Sequence, residues 1–325
     1  MLIYLILGIL FLIQVGVGIL GNFFLLGLYT FTLFIRHRLR PKECIFVHLA
    51  LANSKVLLSK GIPQVIVCLG LQNFLDLLGC KLIVYVYAVA RSVSLSITCI
   101  LSGFQVITIS PRNSRWAELK SEAPQCIGPT CFFCWCFYLL INFILLGTMH
   151  NSRYLTNNTK IWNLGYCSIL TPASFNAAFF ALVFSIPDFI CIGFMISAST
   201  YLVLLLHRHQ QQVQHIHNPQ LSTKMFPEKR ATYAVLLLVS TYVSLYSINS
   251  ILALYHFKVD KHQPWFVATL DLLAAWFPAI TPFVLIFSDS QVLKYWYDLW
   301  HRVYSCLLCH NVLNHTTPQS PDLTL

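Results

Sequence analysis

Long apolar stretches alternate with short polar connectors along the whole chain. A helix needs ~20 apolar residues to cross a hydrocarbon core of ~30 Å, and seven stretches reach that length. They are residues 2–35, 44–74, 82–109, 126–148, 178–206, 233–257 and 265–288. The stretches are too long for strands and lack the alternation of period two that membrane barrels require. The pattern predicts an all-α membrane protein, with a seven-helix bundle over residues 1–288 and a tail over residues 289–325.

Basic residues are concentrated in every second connector. The connectors at 36–43, 110–125 and 207–232 are rich in Lys and Arg, and the connectors between them carry fewer. Cytoplasmic loops of membrane proteins accumulate Lys and Arg. The asymmetry therefore predicts that the N-terminus lies outside the cell and the tail inside.

The composition excludes a soluble globular protein, because 57% of the residues are hydrophobic and only 10% are charged. The net charge of +10 follows the alternate connectors, so it indicates topology and not a nucleic-acid partner. The first stretch has no basic residues before it and is longer than a signal-peptide core. We therefore expect it to be a retained transmembrane helix.

The predicted topology also sorts the cysteines and the glycosylation motif. Only Cys80 and Cys167 clearly fall on the outer, oxidising side, which predicts a disulfide that holds the second outer loop over the bundle. Asn157 begins an Asn-Asn-Thr motif in that loop and is a predicted glycosylation acceptor. The inner tail is predicted to contain an amphipathic helix that lies on the membrane surface. Cys306 and Cys309 follow this helix, where palmitoylation and free thiols are both open interpretations.

Neither a metal site nor a cofactor is predicted. The cysteines of the fourth stretch, Cys131, Cys134 and Cys136, have no His or carboxylate beside them and are typical of small apolar core residues. The histidines between residues 207 and 217 fit a solvated basic loop better than a metal site.

Five charged residues lie inside apolar stretches: Lys55, Lys60, Arg91, Asp188 and Asp271. A charge near the bilayer centre costs ~2.5–3.5 kcal/mol on insertion scales, so each of them requires a partner or a role. Arg91 lies eleven residues after Cys80, which is ~16 Å along a helix and close to the midplane. Lys60 is expected to extend towards the outer headgroups, whereas the sequence gives no clear role for Lys55.

Two interpretations of Arg91 remain open. It either anchors a small-molecule ligand in a cavity open to the outside, or it forms an internal pair with Asp188 or Asp271 that only neutralises charge. The side chains expected to converge on such a cavity are Tyr87, Arg91, Asp188, Tyr242, Tyr246, Asn249 and Asp271. We also expect Gly61 and Pro63 to kink the second helix.

Several blocks of sequence resemble the vomeronasal type-1 receptors, a family of G-protein-coupled pheromone receptors. The blocks are residues 60–64 (KGIPQ), 104–120 (FQVITISPRNSRWAELK), 208–215 (RHQQQVQH), 277–279 (FPA) and 282–286 (PFVLI). The resemblance covers nearly the whole chain. It implies a plasma-membrane receptor that detects pheromone-like small organic molecules and activates an inhibitory-type heterotrimeric G protein. Asn53 stands where the wider receptor superfamily has Asp, so a sodium site is not expected.

The inner connectors then become the predicted G-protein surface. Its candidate residues are Arg112, Arg115, Trp116, Lys120, Arg208, Lys229 and Arg230. The alternative is that these residues only set the topology and contact anionic lipid headgroups. Both roles are compatible with one another.

Other functional classes fit less well. A bitter-taste-type receptor is the alternative among receptors, but the second inner connector matches it poorly. A multi-pass transporter would favour inverted repeats, which the sequence does not display. An intramembrane enzyme requires a nucleophile with a base or a metal, and Asp188 with Asp271 does not supply that set, so no enzymatic activity is predicted.

Overall fold

A computed structural model describes most of the bundle. The residues it describes are 2–111, 114–148, 159–163, 166–172, 177–215, 232–248 and 264–288, together with Arg230 and Ile251. Several predicted sites lie outside the described residues. These are the glycosylation site Asn157, the pocket residue Asn249, the coupling residues Arg112 and Lys229, and the tail cysteines Cys306 and Cys309.

The described chain is a bundle of helices with one small hairpin. The helices are α1 (Leu2–Arg36), α2 (Pro41–Val56), α3 (Ile62–Cys68), α4 (Leu77–Ile109), α5 (Ser114–Thr148), α6 (Ala177–His215), α7 (Thr232–Ile248) and α8 (Pro264–Ser288). Within the described residues, six helical segments are long and apolar enough to span a membrane, with Pro41–Cys68 counted as one, and α7 is a shorter apolar helix. Bulky apolar side chains cover the outside of the bundle, among them Leu20, which is 72% exposed, and Leu140, which is 75% exposed. Such a surface suits lipid and not water.

The helix formed by the second predicted stretch is not uniform, and it ends before the apolar residues do. A π-helical turn at Leu57–Gly61 separates α2 from α3, next to the predicted kink. The helix then ends at Cys68, so the predicted boundary at residue 74 is wrong. Gly70 ends it with a φ of 102°, a conformation that glycine adopts without strain. The amide of Gly70 donates to the Val67 carbonyl at 3.0 Å, which satisfies one carbonyl of the last helical turn.

Two helices extend well beyond their apolar stretches. Helix α5 begins at Ser114, twelve residues before the predicted start at 126, so most of the predicted connector 110–125 is helical. Helix α6 continues to His215, into the connector predicted at 207–232. Polar residues continue a helix when their own propensity favours it, and an apolar pattern does not detect such extensions.

The hairpin is attached to one end of the bundle through Tyr166 and Cys167, which lie between its strands. Strands β1 (Thr159–Asn163) and β2 (Ser168–Pro172) pair antiparallel, with Thr159 opposite Pro172. Cys167, just before β2, forms a disulfide with Cys80 near the start of α4. Tyr166 is buried in the same small cluster, and its carbonyl accepts a hydrogen bond from the Leu75 amide at 3.3 Å. We call this the disulfide end of the molecule, and the opposite end, where α1 finishes and α2 begins, the basic end.

Helices α1 and α8 approach each other closely. The side-chain amide of Asn22 donates to the carbonyls of Gly18 at 2.7 Å and Pro278 at 3.0 Å. Pro282 has no amide hydrogen to offer the Pro278 carbonyl one turn earlier, so Asn22 supplies the missing donor. A Cβ atom at Gly18 would lie 2.9 Å from the Cα atom of Ala279. The small residue is therefore required for this contact.

Candidate functional site

An ion pair joins α4 to α6 within the membrane-spanning part of the bundle. The Nη1 atom of Arg91 lies 3.0 Å from Oδ2 of Asp188. The Asp188 side chain is only 3% exposed, whereas that of Arg91 is 37% exposed. The sequence left two internal pairs open for Arg91, and the structure contains the pair with Asp188. The alternative prediction, a pair of Arg91 with Asp271, is wrong.

Asp271 is held instead by Lys60. The Nζ atom of Lys60 lies 2.7 Å from Oδ1 of Asp271, which links the π-helical turn to α8. The prediction that Lys60 extends towards lipid headgroups is therefore wrong. A carboxylate within reach makes the inward position favourable, because the pair avoids placing a lone charge in lipid.

Tyr87 lies next to both ion pairs. The Nζ atom of Lys60 is 4.6 Å from the centre of the Tyr87 ring. Tyr87 also lies one helical turn before Arg91 on α4, and both residues line the same cavity. The two charged pairs therefore border one aromatic side chain.

The cavity is small and largely aromatic. Its volume is about 60 Å³, and its lining residues come from α2, α4, α7 and α8. They are Val56, Tyr87, Arg91, Ser94, Tyr242, Leu245, Tyr246, Leu273, Ala274, Phe277 and Pro278. Pockets for drug-sized ligands measure ~300–1,000 Å³, so the cavity must widen to accept an organic molecule.

The aromatic walls of the cavity are ordered by ring contacts. Tyr242 and Tyr246 stack at 6.3 Å with an interplanar angle of 14°, and Tyr242 meets Phe277 edge-on at 4.7 Å. The guanidinium of Arg91 lies 5.6 Å from the Tyr246 ring centre. A guanidinium carries five N–H donors and no acceptor. The cavity can therefore combine hydrogen-bond donation with stacking on a flat apolar group.

The structure brings together four of the predicted pocket residues, namely Tyr87, Arg91, Tyr242 and Tyr246. Asp188 and Asp271 are not among the lining residues and act as partners of the two cations. The sequence named only Asp271 from α8, whereas the residues of this helix that line the cavity are Leu273, Ala274, Phe277 and Pro278. Leu273 and Phe277 are spaced four residues apart, so their shared helical face was the available signal.

A polar contact connects the cavity to the interior of the bundle. The hydroxyl of Ser94, which lines the cavity, donates to Oδ1 of Asn53 at 2.6 Å. Asn53 belongs to α2 and is fully buried where this helix packs against α4. Because the side chain is an amide, this position carries no negative charge for a cation.

Lys55, the remaining membrane cation, has an aromatic partner. Its Nζ atom lies 4.5 Å from the centre of the Trp135 ring. The indole N–H of Trp135 donates to Nδ1 of His48 at 3.2 Å, so the ring is fixed against α2. Cation–π contacts of this kind offset part of the cost of removing an ammonium group from water. Within the described part of the chain, no group of three His, Cys, Asp or Glu residues could hold a metal ion.

Those predicted coupling residues that the structure describes lie at the basic end. Lys120 donates from Nζ to the Ser110 carbonyl, which ties α5 to the end of α4. Arg208 on α6 and Arg230 are exposed. Arg115 and Trp116 belong to the first turns of α5.

Comparison with known proteins gives a consistent result over nearly the full chain. The family described as the vomeronasal organ pheromone receptor family matches residues 5–298. Vomeronasal type-1 receptor 1 of Gorilla gorilla gorilla is 43% identical over 288 residues, which is 89% of this chain and 81% of the relative. Vomeronasal type-1 receptor 2 of Homo sapiens is 43% identical over 281 residues, 86% of this chain and 71% of the relative. Olfactory receptor class A-like protein 1 of Danio rerio is 32% identical over 286 residues, 88% and 90% of the two chains.

Proposed function

Because the chain belongs to the vomeronasal organ pheromone receptor family, we propose that it detects pheromone-like small organic molecules at the plasma membrane and activates an inhibitory-type heterotrimeric G protein. The N-terminus and the disulfide end face outwards, and the basic end faces the cytoplasm. The positively charged connectors support this orientation. The ligand therefore reaches the bundle from the disulfide end.

The observation that carries the proposal is the position of Arg91. It lines an aromatic cavity while it pairs with Asp188, whose Oδ1 atom has no hydrogen-bond partner among the described residues. A guanidinium satisfied by one carboxylate oxygen still has N–H groups to donate. Arg91 therefore serves both the internal pair and the ligand.

This arrangement selects a class of ligand. An anionic group, or a strong hydrogen-bond acceptor such as a carbonyl oxygen, binds the Arg91 guanidinium. A flat apolar body stacks on Tyr246 and fills the space between α4, α7 and α8. The ligands that fit therefore carry a hydrogen-bond acceptor at one end and a flat apolar surface at the other.

We infer the mechanism of activation from the small size of the cavity. At about 60 Å³ it is too small for such a ligand, so binding favours arrangements in which the surrounding helices are further apart. The pair between Arg91 and Asp188 links α4 to α6. A ligand that competes for Arg91 weakens this link and shifts the population of helix arrangements towards the one that the G protein binds.

The remaining predicted sites complete the receptor. The coupling surface comprises Arg112, Arg115, Trp116, Lys120, Arg208, Lys229 and Arg230. Asn157 carries a glycan on the outer side. Palmitoylation of Cys306 and Cys309 attaches the tail to the inner leaflet.

The test is a screen of G-protein activation against small acids, ketones, steroids and neutral odorants in cells that express the receptor. For any acidic or strongly accepting agonist, Arg91→Gln should raise the half-maximal concentration at least about tenfold, because one charge-assisted hydrogen bond contributes ~1.5–3 kcal/mol. Responses are normalised to receptor at the cell surface.

Two control variants make the result specific. Lys55→Gln removes another membrane cation that does not line the cavity, and it should leave the potency of the agonist within about twofold of the wild type. The double variant Arg91→Gln/Asp188→Asn removes both charges of the pair and should remain as insensitive as Arg91→Gln. Equal potency on wild type and Arg91→Gln would refute the role of Arg91.

A further inference from the structure

A second, larger cleft lies at the basic end and is separate from the ligand cavity. Its volume is about 860 Å³, and it lies between the turn that joins α1 to α2 and the first half of α5. Three guanidinium side chains contribute to its lining: Arg36, Arg38 and Arg40. A volume of this size falls within the ~300–1,000 Å³ range of ligand pockets.

The turn that carries these arginines is fixed at both ends. His37 has a φ of 54°, and its amide donates to the Leu33 carbonyl at 2.8 Å, which ends α1. The amide of Arg40 donates to Oε2 of Glu43 at 2.8 Å at the start of α2. Glu43 is only 2% exposed and is used in capping the helix. The backbone of the turn is therefore held at both ends, and the side chains of all three arginines contribute to the lining of the cleft.

The opposite wall leaves room for a bound group. It is formed by Pro124, Gln125, Ile127 and Gly128 of α5. A Cβ atom at Gly128 would meet nothing within 4 Å, so the space beside the helix is open there. The exposed Gln125 adds a side-chain amide that can donate to an anion.

Apolar side chains continue directly from the cleft along the lipid-facing surface. Phe34 and Ile35, which precede Arg36, are 79% and 54% exposed, and Phe132, one turn after Gly128, is 67% exposed. A soluble anion would gain nothing from such neighbours. The acyl chains of a lipid would cover them while its headgroup occupies the cleft.

We propose that this cleft is a binding site for the phosphorylated headgroup of an anionic membrane lipid. Guanidinium groups bind phosphate oxygens through paired, charge-assisted hydrogen bonds, and three of them favour a headgroup with more than one phosphate. Basic pockets between helices on the cytoplasmic side of membranes bind headgroups of this chemistry. The site does not depend on the identity of the receptor's agonist.

Native mass spectrometry of the purified full-length receptor in detergent tests the proposal. The probe is short-chain phosphatidylinositol 4,5-bisphosphate, compared with phosphatidylcholine of the same chain length and with soluble inositol 1,4,5-trisphosphate. We expect one saturable phosphoinositide site, no saturable binding of phosphatidylcholine, and binding of the soluble headgroup at least about tenfold weaker, because it lacks the apolar contacts.

A pair of variants locates the site. Arg38→Gln/Arg40→Gln should weaken phosphoinositide binding at least about tenfold, because it removes two charge-assisted partners. Lys42→Gln/Arg208→Gln removes the same charge from the basic end outside the cleft lining and should change binding less than about threefold. Equal losses in the two double variants would overturn the site, since binding would then depend on net charge alone. Equal affinity for the soluble headgroup would overturn the assignment to a lipid.

Discussion

At the scale of single residues, each of two membrane cations is held by a carboxylate from another helix. Arg91 contacts Asp188, and Lys60 contacts Asp271. The partners differ in their surroundings, because Asp188 is almost completely enclosed whereas Arg91 reaches the cavity. Removing the charge of Arg91 should therefore cost more stability than removing the charge of Asp188.

A stability measurement on single and double variants tests this asymmetry. Arg91→Gln leaves the carboxylate of Asp188 buried without its cation and should lower the free energy of unfolding by about 3 kcal/mol. Asp188→Asn leaves a guanidinium that water in the cavity can solvate, so the loss should be smaller. The double variant should be more stable than Arg91→Gln alone. Thermal unfolding of the purified protein, followed by tryptophan fluorescence, measures all three, and additive losses would contradict the pairing.

The choice of partner could not be predicted from sequence. The apolar stretches indicated that Arg91, Asp188 and Asp271 lie within the membrane, because their neighbours in the chain are apolar. Which acid faces Arg91 depends on the rotation of each helix and on the π-helical turn that contains Lys60. Those features arise from packing between helices, which no local pattern records.

At the scale of elements, the contact between α1 and α8 depends on small residues. A Cβ atom at Gly18 would lie 2.8 Å from Cδ1 of Leu57 and 2.9 Å from Cα of Ala279. A side-chain atom can move, but the Ala279 backbone lies inside a helix and cannot yield locally. Helices in membranes rely on such close packing, since lipid supplies no hydrophobic drive for their association.

The glycine substitutions Gly18→Ala and Gly16→Ala therefore have different expected effects. Gly18→Ala should destabilise the receptor by about 1–3 kcal/mol through overpacking. A Cβ atom at Gly16 on the same helix meets nothing within 4 Å, so Gly16→Ala should be neutral or slightly stabilising through its helix propensity. Unfolding temperatures of the two variants in detergent provide the comparison. Equal destabilisation would show that the α1–α8 contact is not as close as described.

The elements differ in how well the sequence predicts them. The start of α1 and the ends of α4 and α8 follow the limits of their apolar stretches closely, because composition changes sharply there. The polar first turns of α5 and the polar end of α6 do not, since helix propensity continues where hydrophobicity stops. The β1–β2 hairpin was not predicted, because two five-residue strands give a weak periodic signal.

At the scale of the whole molecule, we assign ligand entry to the disulfide end of the bundle and the proposed G-protein coupling to the basic end. The disulfide end holds the hairpin and the Lys60 pair, and the basic end holds the arginine-rich turn and the start of α5. Helix α4, which extends from Leu77 to Ile109, spans the distance between the two ends, and we expect its movement as a rigid body to connect them.

The coupling surface can be tested separately from the ligand cavity. Arg112→Glu/Arg115→Glu reverses two charges at the basic end and should reduce G-protein activation at least about tenfold, because complementary charge there is replaced by repulsion. Surface delivery and agonist binding should persist, since the cavity is made by other residues. Signalling equal to that of the wild type at matched surface level would contradict the coupling role.

The proposed ligand entry and the proposed G-protein coupling both depend on the orientation of the chain in the membrane. Epitope tags at the N-terminus and the C-terminus, read by antibody binding to intact and permeabilised cells, measure it directly. The account predicts that intact cells bind antibody only at the N-terminal tag and that the C-terminal tag is labelled after permeabilisation. Labelling of the C-terminal tag on intact cells would contradict it, because the basic end would then face away from the G protein.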